Sequence, residues 1–438
     1  MPAIAAAKKT HHDATIRLDY PLQAWVVVLG AALFFFYEFI QMTMFNVINP
    51  QLMQTFHVSA ERLGNLSAMY FYANVIFLFP AGLLLDRFST RKLISIAMAF
   101  CVASTYGFAL SKQFDWLSLF RFVTGLGSSF CMLSCVRLAS RWFPPRRVAL
   151  VGGLVVTMAM LGGMMGQTPM TFLSAHLGWR HAVMVNATIG VLLLLIVWSV
   201  VRDYPRNLGR AHDEEQNKLH KMGFWESIRL ALKNPQNWLA GIYTNLLSLP
   251  VIVLGAMWGG MYLSQSRHLS HDVASYVTSM IFLGTIFGSP AMGWLSDRIA
   301  LRKLPMILGA VVSFVLVLVI MYNHHLSTGK LSVLFFLLAF VASTQVIAYP
   351  LVVESNSFAI TSAAEGVTCT IIMMAGAIFQ PLYGKLMDMN WQGKLSHGVH
   401  IYSPHAYLIA MWIMPIAFVV ALIAALMLKE TRCRDLVP

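Results

Sequence analysis

The sequence predicts an all-α integral membrane protein whose twelve transmembrane helices form two pseudo-symmetric six-helix bundles. Three observations carry this. Hydrophobic residues fill 58% of the 438 positions and charged residues only 11%, with a mean hydropathy of +0.67; a water-soluble globule would have nowhere to put so much apolar surface. The apolar residues fall in runs close to the ~20 residues that a helix needs to cross the hydrocarbon core. Finally, the charged stretch from Gly82 to Lys92 (GLLLDRFSTRK) returns as Gly293 to Lys303 (GWLSDRIALRK). Gly82, Leu84, Asp86, Arg87, Arg91 and Lys92 then correspond to Gly293, Leu295, Asp297, Arg298, Arg302 and Lys303 at a constant offset of 211 residues. A motif repeated at equivalent points of two halves marks an internal duplication.

Taken in order, residues 1–21 hold Lys8, Lys9, two histidines and Asp13 before any long apolar run, and read as a polar tail, not a cleavable signal. Spans follow near 22–48, 60–85, 93–111, 116–142, 148–174 and 181–201, then 237–264, 272–296, 304–323, 331–353, 360–388 and 406–428. Between the sixth and seventh lies the only long polar segment between spans. Within it Phe224, Trp225, Ile228 and Leu232 recur at helical spacing, which predicts an amphipathic helix on the membrane surface. The chain therefore divides into an N-terminal six-helix bundle (1–201), a cytoplasmic linker (202–236) and a C-terminal six-helix bundle (237–438). Gly162, Gly163 and Gly166 in the fifth span and Gly284 with Gly288 in the eighth predict close helix packing.

Lysine and arginine concentrate in the tail, the two charged hinges, the linker and the C-terminal segment, all on one side of the twelve spans. The positive-inside rule makes that side, and both termini, cytoplasmic. The setting expected is the inner membrane of a bacterium, multi-pass. The net charge of +13 is scattered through short loops with no basic stripe among aromatics, so no nucleic-acid partner is expected. Four of the five cysteines lie inside apolar runs and imply no disulfide framework. The histidine clusters sit in outer loops without ligand-spaced partners, so no metal is expected. No HExxH, nucleophile elbow or phosphate loop occurs. An enzyme, a cofactor or an ATP-driven pump finds no support, and energy must come from an ion or solute gradient.

Ionisable groups inside a membrane are costly and usually face a cavity or a partner. Glu38 lies past the middle of the first span with Gln41, Phe45 and Asn49 on about the same face. A carboxyl there can carry a proton or meet a substrate amine, or it can be a structural acid. Arg121 in the fourth span can pair with Glu38 or grip a substrate carboxylate bidentately. Asn245, Gln345 and Tyr349 are candidate substrate hydrogen-bonders, with satisfied interhelical contacts as the competing reading. At the hinges, an acid can sit against the positive end of a helix from the other half, worth about 0.3–2 kcal/mol; otherwise the charges only set topology. The gating candidates are Asp86, Arg87, Arg91, Asp297, Arg298, Arg302 and Arg141, with Glu354 and Glu365 placed to bond the basic hinge residues.

These motifs resemble the major facilitator superfamily over essentially the whole chain. Both hinges are similar to its loop signature, Gly-x-x-x-Asp-Arg-x-Gly-Arg-Arg/Lys, departing at Ser89 and Thr90. Arg121-Phe-Val-Thr-Gly125-Leu-Gly127, the run from Arg141 to Arg147 (RWFPPRR) and Gly178-Trp179-Arg180 are further family patterns. The resemblance implies two bundles rocking around a midplane site. Spans 1, 4, 7 and 10 then line the cavity, spans 3, 6, 9 and 12 face outward, and the hinge acids meet span 11 and span 5. Tyr37-Glu-Phe-Ile40 and the run Ser59 to Ala68 are similar to the phagosomal nutrient transporters of intracellular bacteria, which import amino acids or nucleosides; branch members often carry arginine where this chain has Met42. The expected function is proton-coupled symport of a small polar nutrient, an amino acid, by a monomer. The alternatives are a drug or siderophore exporter working as a proton antiporter, and a transporter-like solute sensor.

Overall fold

The computed structural model describes residues 21–143, 145–205, 224–323, 325–357, 360–396 and 398–433; the polar tail and most of the linker lie outside them, as do the side chains of Asp86, Phe224 and Trp225. Among the described residues, eleven helical runs are long and apolar enough to cross a membrane. The longest, Leu150–Val200, has 51 residues, too many for one crossing. It is broken at Gly178, where φ is 76° and ψ is 159°, a conformation open to glycine and closed to residues with a Cβ. That break makes it spans 5 and 6, and the crossings among the described residues number twelve.

Spans 2 (Ala60–Arg87), 3 (Thr90–Leu110), 8 (His271–Ile299), 9 (Lys303–Tyr322) and 11 (Thr361–Met389) are single helices. The others bend. Span 1 is Pro21–Thr43 followed by Phe45–Phe56, span 4 is Phe114–Ser128 followed by Cys131–Trp142, and span 12 is Pro404–Met411 followed by Ile413–Met427. Span 10 runs from Thr328–Ala342 through a 3₁₀ stretch, Ser343–Ile347, to Ala348–Glu354. Span 7 starts as the α-helix Pro235–Leu247 and widens to a π-helix over Pro250–Trp258 and again over Tyr262–Ser266. Pro250 has no N–H to continue the α pattern, which gives the widening a local cause. The linker helix, Phe224–Lys233, packs on span 11 and buries Ala231.

Spans 3, 6, 9 and 12 turn apolar side chains outward, with Phe100, Leu195, Val315 and Ile423 among the exposed. Glycines set the close approaches foreseen from sequence. A Cβ at Gly162 would fall 2.0 Å from the Phe36 carbonyl oxygen of span 1, and one at Gly288 would fall 2.5 Å from that of Phe340 in span 10.

Two apolar cores show how the halves meet. The larger joins spans 7 to 12 to the parts of the first half far from the hinges, through Phe45, Leu52, Leu66 and Phe71 against Leu254, Trp258, Phe282 and Tyr383. The smaller, with Val28, Leu85, Ile94, Leu138 and Trp142, lies wholly in the first half near its hinge. Among the described residues, the halves are thus packed together on the face away from the hinges and not at the hinge face. There a Cβ at Gly293 or Gly366 would meet nothing within 4 Å.

Candidate functional site

Span 1 breaks at Met44, between two helical segments. At the break the Gln41 carbonyl accepts a hydrogen bond from Arg121 Nη1 of span 4 at 2.8 Å. Arg121 is 1% exposed, and its guanidinium carbon lies over two aromatic rings, 4.3 Å from the Phe45 ring centroid and 4.6 Å from that of Tyr70. Such stacking favours a desolvated cation, yet Nε and Nη2 have no partner. An unpaired buried donor is expensive.

Glu38, one and a half turns from the break, is fully buried, and both carboxylate oxygens lack a hydrogen-bond partner. The sequence allows a Glu38–Arg121 pair; the structure places both in one compartment and joins them by no direct hydrogen bond. Around them Tyr70 OH meets Ser128 Oγ, which also accepts from Asn74 Nδ2 at 3.0 Å. Tyr37 OH donates to Thr105 Oγ1 at 3.3 Å. Gln41 Nε2, on the same span, is buried and unpartnered. These groups form a buried polar cluster in an apolar half, with an acid, a guanidinium and unused donors.

The second-half candidates are dispersed. Asn245 Nδ2 donates to the Ile371 carbonyl at 2.5 Å, a satisfied interhelical contact. Gln345 and Tyr349 are half-buried on span 10, and neither side chain makes a hydrogen bond among the described residues.

At the hinge face, bonds among the described residues form within each half. Arg302 Nη2 meets Glu354 Oε1 and its Nη1 meets Asp297 Oδ1, both at 2.6 Å. Glu430, after span 12, accepts the Arg302 and Lys303 N–H groups at 2.8 Å each. In the first half Asp203, after span 6, accepts from Ser89 Oγ at 2.5 Å and from Arg91 N–H at 2.9 Å. The Arg91 guanidinium goes to the Trp198 carbonyl, and Arg141 Nη1 to Thr90 Oγ1 at 3.2 Å. Arg87 and Arg298 are exposed, Arg298 over the Trp294 ring. Glu365 is half-buried and bonds none of the described basic hinge residues. The Asp86 side chain lies outside the described residues.

Two residues passed over in the sequence stand where the halves join. Gln167, beside the glycines of span 5, accepts from Asn46 Nδ2 at 2.7 Å and Thr278 Oγ1 at 3.0 Å, and donates to the Gly255 carbonyl at 2.8 Å. Asn49 Nδ2 reaches the Met257 carbonyl at 2.6 Å, and Gln380 Nε2 that of Ile252 at 2.8 Å. The π-helical part of span 7 thus gives its carbonyls to amides from spans 1, 5 and 11. Asp388, at the end of span 11, is the second. A polar amide among glycines and an acid at a helix end were the available signals.

Residues 31–321 match the family model described as Major Facilitator Superfamily. The membrane sensor protein UhpC of Salmonella typhimurium is 25% identical over 68% of this chain and 69% of its own. The uncharacterized transporter YybO of Bacillus subtilis is 28% identical over 40% of each chain. The gallate transporter of Pseudomonas putida is 22% identical over 63% of this chain and 66% of its own, so the match spans less than two thirds of some of these relatives. A solved bacterial homologue of the human lysosomal transporter Spinster, inward-facing and unoccupied, superimposes with a TM-score of 0.73 at 17% identity, covering 93% of this chain and 98% of that one.

Proposed function

The chain belongs to the major facilitator superfamily, a family of transporters and not of enzymes, and from that premise we propose that it imports a small carboxylate-bearing nutrient, an amino acid first among them, by proton-coupled symport. The observation that supports this reading is Arg121, whose Nε and Nη2 have no hydrogen-bond partner and whose guanidinium lies over the Phe45 and Tyr70 rings. A planar carboxylate satisfies that fork bidentately, and an apolar body can rest on the rings. Relatives named for gallate, 4-hydroxybenzoate and hexose phosphate agree with an anionic solute.

In this reading Glu38 carries the proton beside the bound anion, which Arg121 holds. Gln41 offers its free amide, Asn245 its carbonyl oxygen, and Gln345 and Tyr349 their unused polar groups from the facing half. The bundles 1–201 and 237–438 rock about this site on the linker 202–236. Asp86, Arg87, Arg91, Arg141, Asp297, Arg298, Arg302, Glu354 and Glu365 form the hinge-face gate, which stands open in this conformation. The protein works as a monomer in the inner membrane of a bacterium, with both ends cytoplasmic.

Flux into proteoliposomes under an imposed proton gradient tests it. Uptake of labelled amino acids or aromatic acids driven by an alkaline interior is the expected result, and Glu38→Gln should abolish accumulation while sparing counterflow. Extrusion would replace this reading with the exporter. Specific binding without flux would replace it with a sensor, the class for which UhpC is named.

A further inference from the structure

We propose that Asp388 is the latch of the face opposite the hinges: it holds the two halves together in this conformation by capping a helix that belongs to the other half, and its release opens that face. The proposal rests on the alternating-access reading above.

The first turn of any helix has N–H groups with no partner inside the helix. At the start of span 2, Arg62 N–H goes to the Ser59 side chain at 3.5 Å and Leu63 N–H to the Ser59 carbonyl at 3.1 Å. The remaining two are met from across the molecule. Asp388 Oδ1 accepts from Ala60 N–H at 3.2 Å, and Oδ2 accepts from Glu61 N–H at 2.7 Å. A carboxylate in this place also meets the positive end of the helix dipole.

The acid is itself held. Tyr402, buried in the loop after span 11, donates its OH to Asp388 Oδ1 at 2.6 Å and shares the Ala60 N–H at 3.1 Å. Gln265 of span 7 fixes that loop by accepting the Tyr402 N–H at 3.0 Å and donating to the His400 carbonyl at 3.2 Å. The seat requires small residues. A Cβ at Gly384 would lie 2.4 Å from the Ala60 carbonyl oxygen, and one at Gly64 would lie 2.8 Å from that of Gln380.

Spans 2 and 11 run antiparallel, so the end of each lies by the start of the other. Asp388 is the penultimate residue of span 11 (Thr361–Met389), and Asp86 is the penultimate residue of span 2 (Ala60–Arg87). One antiparallel helix pair thus carries an acid at the same place on each member. With Asp388 engaged the far face is shut. The family resemblance implies the same device at the hinge face, with Asp86 meeting the start of span 11. The two acids then act alternately.

Hydrogen–deuterium exchange on the full chain in lipid nanodiscs tests this. In Asp388→Ala, exchange over residues 58–66 and 390–403 should rise about tenfold or more, the factor set by one lost charge-assisted hydrogen bond. Exchange over residues 84–92 and 361–366 should fall together with it as the hinge face closes. Tyr402→Phe should act in the same direction and more weakly. Gly384→Ala, which keeps the acid and spoils its seat, should reproduce the pair of changes. A rise confined to 58–66 marks an ordinary helix cap and overturns the latch, as does no change. Counterflow measured on the same preparations separates the two readings: normal flux with unaltered exchange rejects the latch alone, and reciprocal exchange without any flux rejects transport alone.

Discussion

Arg302 Nη2 lies 2.6 Å from Glu354 Oε1, and the same guanidinium reaches Asp297 Oδ1 at 2.6 Å through Nη1. The two acids differ in exposure, with side chains 11% accessible at Glu354 and 68% at Asp297. Exposed ion pairs contribute only about 0–1 kcal/mol. Removing one member of a buried pair costs about 3–5 kcal/mol, because it strands the other charge. Glu354→Ala should therefore lower the unfolding temperature of the detergent-solubilised protein far more than Asp297→Ala. Equal losses would show that Glu354 does not hold Arg302 as described.

Arg121→Lys keeps the charge and removes the fork. Lysine offers a compact ammonium that cannot lie flat between Phe45 and Tyr70 or bind a carboxylate at two points. Solute affinity, measured by titration calorimetry on the purified protein, should fall at least about tenfold, as expected for one charged hydrogen bond. Unchanged affinity would place the solute elsewhere.

Gln167 ties span 5 to span 1 through Asn46 and to the second half through Gly255 and Thr278. Gln167→Leu leaves several buried groups unpaired, each costing about 1–3 kcal/mol. Exchange over residues 255–261 should rise clearly in that variant and only slightly in Thr278→Val, which removes one of these bonds. Equal responses would mean that Gln167 is not the node joining the halves.

Much of this architecture was legible in the sequence, for identifiable reasons. Span length follows from bilayer thickness, so the positions of all twelve spans could be read from apolar runs. The duplicated hinge and the buried Glu38 and Arg121 stand out because charges are rare in such a chain. What stayed hidden depends on contacts between distant segments. The π-helix of span 7 reads as an ordinary apolar run, since the residues that claim its carbonyls come from spans 1, 5 and 11. Asp388 reads as one more acid at the end of an apolar run until the start of span 2 is beside it. Asn245 reads equally as a substrate ligand or an interhelical contact until the Ile371 carbonyl is found at 2.5 Å.

Glu430 gives a pH dependence with a definite sign. Partial burial works against its charge, but the N–H groups of Arg302, Arg432, Lys303 and Thr431 aimed at the carboxylate outweigh it and hold Glu430 below the usual glutamate range. A group with a depressed folded value contributes stability that is present above the unfolded value of about 4.3 and lost as pH falls through the folded one. The unfolding temperature of the native chain should therefore decline as pH drops below about 4.3. Glu430→Gln, which cannot gain or lose that proton, should decline less over the same interval and be the less stable of the two near neutrality. Parallel curves for the two proteins would show that this acid does not secure the start of span 9.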